Sequence, residues 1–251
     1  MRAPSSVPVR DAVILAAGNG DRFKNSHHHS KLLHPVLGQP LILRTLETAA
    51  AAGIETLNIV LGFEADRVRA TVERHRIPGV TIRFTHNPDW HLENGVSALK
   101  ARDLCDHRRF ALLMGDHLFE APVLKRLAGL DTSPGDSILA VDRGEVDPLV
   151  ADEATKVQMD GDRIVAIGKT LSRWDGLDTG LFVFSPVLFE ALEESHRAGE
   201  TTLSAGVQRL AGRGLMRGVE IDGATWCDVD TVTDLLVAES LFAAAAEPEH
   251  A

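Results

Sequence analysis

The stretch DAVILAAGNGDRF, residues 11–23, decides how the rest of the chain is read. Its first six residues form an apolar run of strand length. Ala17-Gly18-Asn19-Gly20 then interrupts the run with two glycines, which let a backbone approach a ligand closely and turn its N–H groups inward. Arg22 and, further on, Lys31 add two cations beside those amides. Amides plus cations suit a triphosphate. Phe23 stands where a dinucleotide-binding fingerprint has its third glycine, and no Gly-Lys-Ser/Thr follows as in a P-loop. Taken alone, the loop reads equally as an ordinary strand-to-helix turn.

Outward from this loop, apolar strands alternate with helical periodicity. Residues 40–52 predict a helix with Pro at its first position and Gly53 as its stop. Residues 56–61 read as a strand, 64–75 as a helix, 80–84 as a strand and 95–104 as a helix; 110–114 and 137–141 are further strands. This alternation predicts an α/β fold with a doubly wound, mostly parallel, Rossmann-like sheet. After about residue 145 the pattern changes. Segments 155–159 and 163–167 flank Asp160-Gly161-Asp162, a hairpin signal. A strand over 179–184 and helices over 186–196, 201–211 and 231–246 complete the expectation. With no Pro/Gly/Ser-rich linker and no repeat, residues 1–251 read as a single domain with a small β-hairpin subregion.

The net charge of −10 argues against a general nucleic-acid surface, which needs a basic footprint. A small anionic ligand is still compatible with it. No apolar run approaches the ~20 residues that span a bilayer, and the first ten residues lack the order of a signal peptide. The expectation is a cytoplasmic protein without membrane insertion. Cys105 and Cys227 are too few for a disulfide framework or a zinc site.

Four further stretches carry candidate chemistry. Glu93-Asn94-Gly95-Val96-Ser97 is either a turn that opens a helix or a contact to a nucleobase and ribose. Met114-Gly115-Asp116-His117 places a carboxylate at the C-terminal end of a strand, where open α/β sheets bind ligands. In Trp226-Cys227-Asp228-Val229-Asp230-Thr231, Asp230 or Thr231 suits a helix cap and Asp228 suits a ligand role. Asp116 and Asp228 together can hold one Mg²⁺. Lys156, Lys169 and Asp178-Thr179-Gly180 read either as surface and turn residues or as contacts to an acceptor. His27-His28-His29 reads as a solvated loop, because adjacent side chains diverge and no further ligand pair stands nearby.

Together, LAAGNGDRF with Lys31 resembles the signature loop of the nucleotide-sugar pyrophosphorylase-like nucleotidyltransferases. MGDH, EATK, IGK, DTG and WCDVDT resemble one branch, the CTP:inositol-1-phosphate cytidylyltransferases. The resemblance implies that the loop from Leu15 through Ala16, Ala17, Gly18 and Gly20 binds the nucleotide, with Glu93, Asn94, Gly95 and Ser97 reading base and ribose. It implies charge stabilisation by Arg22 and Lys31, a grip on the acceptor phosphate by Lys169, and Mg²⁺ on Asp116 and Asp228. Glu153, Lys156 and Asp178 are the polar candidates facing the acceptor. The implied substrates are CTP and a small phosphorylated alcohol, inositol 1-phosphate first. A separate membrane CDP-alcohol phosphatidyltransferase downstream and a homodimer are further expectations. The sequence departs from the family at Ser30, where a proline usually precedes the loop lysine, and in its longer, histidine-bearing loop. A phosphonate, phosphocholine or sugar 1-phosphate acceptor, an NAD-dependent oxidoreductase and a non-catalytic nucleotide-binding homologue remain alternatives.

Overall fold

β1 (Asp11–Ala16) is buried along nearly all of its length, which is why it reads as a continuous apolar run rather than an alternating one. The structure, a computed structural model, describes residues 8–20, 23, 30–105, 108–144 and 148–244. After β1 come β2 (Pro35–Val36), β3 (Gln39–Pro40), α1 (Leu41–Ala51), β4 (Thr56–Leu61), α2 (Ala65–Arg74), β5 (Thr81–His86) and α3 (Asn94–Leu99). The middle of the chain forms β6 (Phe110–Met114), β7 (His117–Phe119), α4 (Ala121–Gly129), β8 (Ser137–Asp142), α5 (Pro148–Glu153), β9 (Lys156–Asp160) and β10 (Arg163–Gly168). The remainder forms β11 (Gly176–Phe184), α6 (Val187–Arg197), α7 (Leu203–Gly212), β12 (Met216–Glu220), β13 (Trp226–Asp228) and α8 (Val232–Ala244).

Among the described residues, nine strands make one sheet in the order β5-β4-β1-β6-β11-β8-β12-β10-β9. β5, β4, β1 and β6 pair in parallel, so their C-terminal ends share one edge. β11 runs antiparallel to both β6 and β8. The α/β class holds, but the sheet is mixed, with parallel pairing concentrated in its first half. The β9–β10 hairpin extends the same sheet through β12 and also pairs with β11, so it is not set apart from it. The helix expected over 95–104 ends at Leu99 and gives way to a 3₁₀ turn at Arg102–Leu104.

Alternate residues of the strands feed two apolar layers. Ile14, Ile59 and Leu113 pack with α1, α2 and α4 on one face. Val13, Leu112, Phe182 and Phe184 pack with α3, α6 and α7 on the other. A smaller cluster of Val36, Leu41, Leu118, Val229 and Leu235 seats α8. No helix among the described residues is long and apolar enough to cross a membrane.

Gly95 marks a close approach between α3 and the chain entering α7. A Cβ there would lie 2.6 Å from the Thr201 carbonyl oxygen and 2.7 Å from the Thr202 backbone. Backbone atoms cannot rotate away as a side chain can. Gly95→Val should therefore lower unfolding free energy by about 2–4 kcal/mol through overpacking. Urea denaturation reads this directly, and an unchanged midpoint would contradict the close packing.

Candidate active site

The site forms where β1 and β6 end. Gly115 follows β6 and donates its N–H to the Leu15 carbonyl at 2.9 Å, locking the two strand ends together. Asp116 comes next. β7 then leaves the main sheet and pairs antiparallel with β13, in a register that sets Asp228 opposite His117. This two-stranded ladder delivers carboxylates from distant parts of the chain to one point.

Lys31, at the start of a 3₁₀ turn, is the cation at that point. Its Nζ lies 2.7 Å from Asp116 Oδ2 and 2.6 Å from Asp230 Oδ1, and its side chain is 7% exposed. His117 Nδ1 lies 3.0 Å from Asp116 Oδ1 and 3.5 Å from Asp228 Oδ1. One face of the His117 ring stacks on Trp226, whose Nε1 donates to Asp142 Oδ2 at 2.7 Å. The ring also abuts Gly180, where a Cβ would come within 2.6 Å of His117 Cδ2; with φ +75° as well, glycine is required there. The Gly180 N–H donates to Asp178 Oδ1 at 2.8 Å, so Asp178 belongs to the same neighbourhood. A cleft of about 310 Å³ opens at the cluster, lined by Leu15, Ala16, Gly18, Gly20, Lys31, Asp116 and Asp230 among others.

The electrostatics follow from these distances. Burial opposes the charge of Lys31, but Asp116, Asp230 and Asp228 more than offset it and raise its pKa. Burial likewise works against ionised Asp116, yet Lys31 and His117 hold its carboxyl well below the usual range. His117 loses from burial and gains from Asp228 and Asp116, ending at about 9. Asp228 is pushed up by burial and by Asp116 and Asp230, against the pull of His117.

Asp116, His117 and Asp228 offer ligand atoms within 4.8 Å of one another. Asp228 Oδ1 is buried without a hydrogen-bond partner. A buried carboxylate oxygen without a hydrogen bond is costly, and Asp228 together with Asp116 would hold a divalent cation that supplies the missing positive charge. Oxygen donors of this kind fit Mg²⁺.

Not every expected residue reaches the cleft. Leu15, Ala16, Gly18, Gly20, Lys31 and Asp116 line it. Ala17 is buried beneath, its carbonyl accepting the Phe63 N–H. Asn94 Oδ1 accepts from the Leu203 N–H at 2.8 Å, and Ser97 Oγ accepts from Asn87 Nδ2 at 2.9 Å, so both oxygens serve the scaffold. Glu93 precedes α3 and is exposed. Lys156 is buried and donates to the Lys169 carbonyl at 2.9 Å; it supports Lys169 rather than facing outward. Lys169 and Glu153 are exposed at the ends of β10 and α5. Arg22 and His27-His28-His29 lie outside the described residues.

Two members of the cluster were not assigned this role from the sequence. Asp230 was expected as a possible helix cap, but its carboxylate goes to Lys31. Thr231 does the capping: its Oγ1 accepts the Asp234 N–H, and Asp234 reaches back to the Thr231 N–H. The signal was present, because Asp228-Val229-Asp230 alternates and Val229 is fully buried, turning both carboxylates the other way. His117 appeared in the sequence only as the neighbour of Asp116.

A family model described as the MobA-like NTP transferase domain matches residues 12–210. The bifunctional IPC transferase and DIPP synthase of Rubrobacter xylanophilus is 36% identical over 235 residues, 92% of this chain and 51% of the relative. The protein of the same name from Aquifex aeolicus is 33% identical over 90% of this chain and 50% of its own length. The chain thus spans about half the length of these curated relatives. CMP-5'-(3-aminopropyl)phosphonate synthase of Streptomyces rubellomurinus is 36% identical over 64% of this chain and 24% of the relative. Among solved structures, the inositol-1-phosphate CTP transferase from T. maritima superposes with a TM-score of 0.82 at 23% identity, covering 93% of this chain and 96% of that one. At that identity the likeness establishes the fold.

Burial pushes the Asp178 carboxyl up to about 6, against the Gly180 N–H and His117. A folded pKa above the unfolded one means that Asp178 is without cost below about pH 4 and destabilises progressively as pH rises through 6. The neutral isostere removes that cost. Asp178→Asn should raise stability by about 1–3 kcal/mol at pH 8, with the gain shrinking as the pH falls below 6. A gain independent of pH would show that the carboxyl titrates normally.

Proposed function

The chain belongs to the MobA-like NTP transferase family, and from that premise we propose that it is a Mg²⁺-dependent cytidylyltransferase. It joins CTP to a phosphorylated polyol, inositol 1-phosphate first, and releases pyrophosphate and a CDP-alcohol. The observation that carries this reading is the cluster of buried Lys31 with half-buried Asp116 and Asp228 at the foot of a glycine-lined cleft. The names of the half-length-matched IPC transferases, and that of the inositol-1-phosphate CTP transferase from T. maritima, support CTP and inositol 1-phosphate as the pairing. The phosphonate synthase relative favours a second reading, an alkylphosphonate acceptor with the same nucleotide. A membrane CDP-alcohol phosphatidyltransferase that consumes the product, and a cytoplasmic location, belong to the same proposal.

The chemistry asks little of the protein beyond position and charge. An acceptor phosphate oxygen attacks the α-phosphorus of CTP in line; that P–O bond forms as the bond to the β-phosphate bridging oxygen breaks, and pyrophosphate leaves. A phosphate monoester is already nucleophilic at neutral pH, so no general base is assigned. Asp116 and Asp228 would hold Mg²⁺, which when bound neutralises charge on the phosphate oxygens. Backbone N–H groups at Gly18 and Gly20 receive the triphosphate, and Lys31 and Arg22 balance its charge. Lys169 grips the acceptor phosphate, oriented by Lys156 through its own carbonyl. Because Asn94 Oδ1 and Ser97 Oγ have internal partners, recognition from residues 93–97 is assigned to the backbone.

The direct test is pyrophosphate release with each NTP against inositol 1-phosphate, glucose 1-phosphate, phosphocholine and 2-aminoethylphosphonate. Release with CTP and inositol 1-phosphate above all other pairs is expected; preference for another acceptor by more than about tenfold, ~1.4 kcal/mol, transfers the assignment to it. Two variants separate folding from function. A Cβ at Gly18 meets nothing within 4 Å, so Gly18→Val should melt like the wild type while losing CTP binding in calorimetry. Asp228→Asn removes a charge that burial already opposes; it should fold normally and lose about 10²-fold or more in kcat. Near-normal turnover by Asp228→Asn would take Asp228 out of the metal site.

A further inference from the structure

The connection from β4 to α2, residues 62–64, touches both ends of the glycine loop. At the loop's start, the Phe63 N–H donates to the Ala17 carbonyl at 2.9 Å. At its end, the Ser30 N–H donates to Glu64 Oε2 at 2.6 Å, a charge-assisted bond between residues 34 apart. Ser30 is buried and immediately precedes Lys31. Residues 18–29, including both cleft glycines, lie between these two anchors in the chain.

The connection is itself tightly held. A Cβ on Gly62 would lie 2.4 Å from Trp90 Cβ and 2.6 Å from the Ala17 carbonyl oxygen, so backbone meets backbone there. The Phe63 and Trp90 rings pack with centroids 5.3 Å apart. Glu64 has φ 48° and ψ 35°, a left-handed conformation that a side chain adopts only where its surroundings hold it. Although Glu64 stands at the N-cap position of α2, its side chain makes no capping bond to the helix. One carboxylate oxygen takes Arg67 at 2.6 Å and the other takes the Ser30 amide.

We propose that Glu64 is the positioning residue for Lys31: held by the β4–α2 turn, its carboxylate fixes the Ser30 amide and so sets where the lysine enters the carboxylate cluster. The kinetic consequence rests on the nucleotidyl-transfer reading of the cleft; the structural consequence does not. Losing Glu64 leaves Lys31 and its partners chemically intact but releases the chain one residue before the lysine. Ser30 has φ −53°, which a proline ring accommodates, so Ser30→Pro deletes the donor while keeping the local backbone angle.

The experiment combines kinetics with chemical labelling. Glu64→Ala should raise KM for CTP and lower kcat, together costing about tenfold or more in kcat/KM, as expected for loss of a charge-assisted hydrogen bond. KM for the acceptor should stay near wild type while KM for CTP rises, whereas a general loss of folded protein would lower apparent kcat and leave both KM values unchanged. Glu64→Gln, which keeps an acceptor oxygen, should recover most of the loss. In a Ser30→Pro background, Glu64→Ala should cost less than about twofold more, because the bond is already gone. Independently of turnover, acetic anhydride should label Lys31 at least about fivefold faster in Glu64→Ala than in wild type, through local opening, with exposed Lys125 as the internal standard. Wild-type kinetics and labelling in Glu64→Ala, or an equal loss in the Ser30→Pro background, would overturn the proposal. If the wild type releases no pyrophosphate with any substrate pair, the enzymatic reading falls, and the labelling alone decides whether Glu64 holds Lys31.

Discussion

Lys31 cannot remain charged inside the protein without carboxylates around it, and that requirement ties the separate parts of the site together. Moving an isolated ammonium out of water costs several kcal/mol even after relaxation. Asp116, at the end of a central strand, and Asp230, beyond the last one, offset that cost at 2.7 and 2.6 Å. The glycine loop is therefore tied at its C-terminal end to two carboxylates contributed by different parts of the chain. Under the proposed reading, a triphosphate offers the same lysine another set of anionic oxygens. The resting pairing then prepares a cation at the place where negative charge arrives.

The sheet's centre was legible because its strands are buried on both faces. β1, β4 and β6 occupy the residues expected from their apolar runs. β12, with sequence MRGVE, was not foreseen, since Arg217 and Glu220 break the apolar pattern at the sheet's less buried side. α4 was missed too, although Pro122 near its start and apolar residues at 123, 124 and 127 carry a helical period. The antiparallel direction of β11 has no local signature. It depends on pairing with β6 and β8, strands far away in the chain.

For the site, the short motifs named Gly18, Gly20, Lys31, Asp116 and Asp228, which the structure places around one cleft and carboxylate cluster. They do not show where a polar side chain has a distant structural partner. Asn94 holds the start of α7 and Ser97 holds Asn87, and neither partner is visible from the motif itself. Lys156 resembled an outward-facing cation because its sequence neighbours are polar; its burial and its bond to the Lys169 carbonyl emerge only when β9 and β10 pair. Glu64 looked like the first residue of a helix, and its bond to Ser30 depends on a left-handed turn that sequence periodicity does not report.

The small ladder between β7 and β13 also bears on the order in which a newly made chain acquires its site. Asp116 and His117 follow β6 directly, whereas Asp228 and Asp230 leave the ribosome more than a hundred residues later. A nascent chain that has emerged only as far as α7 contains the glycine loop and the parallel strands β1, β4, β5 and β6, but Lys31 still lacks one of its two counterions. Contacts that close across so much chain form slowly. The cluster around Lys31 is therefore complete only once the last strand has docked.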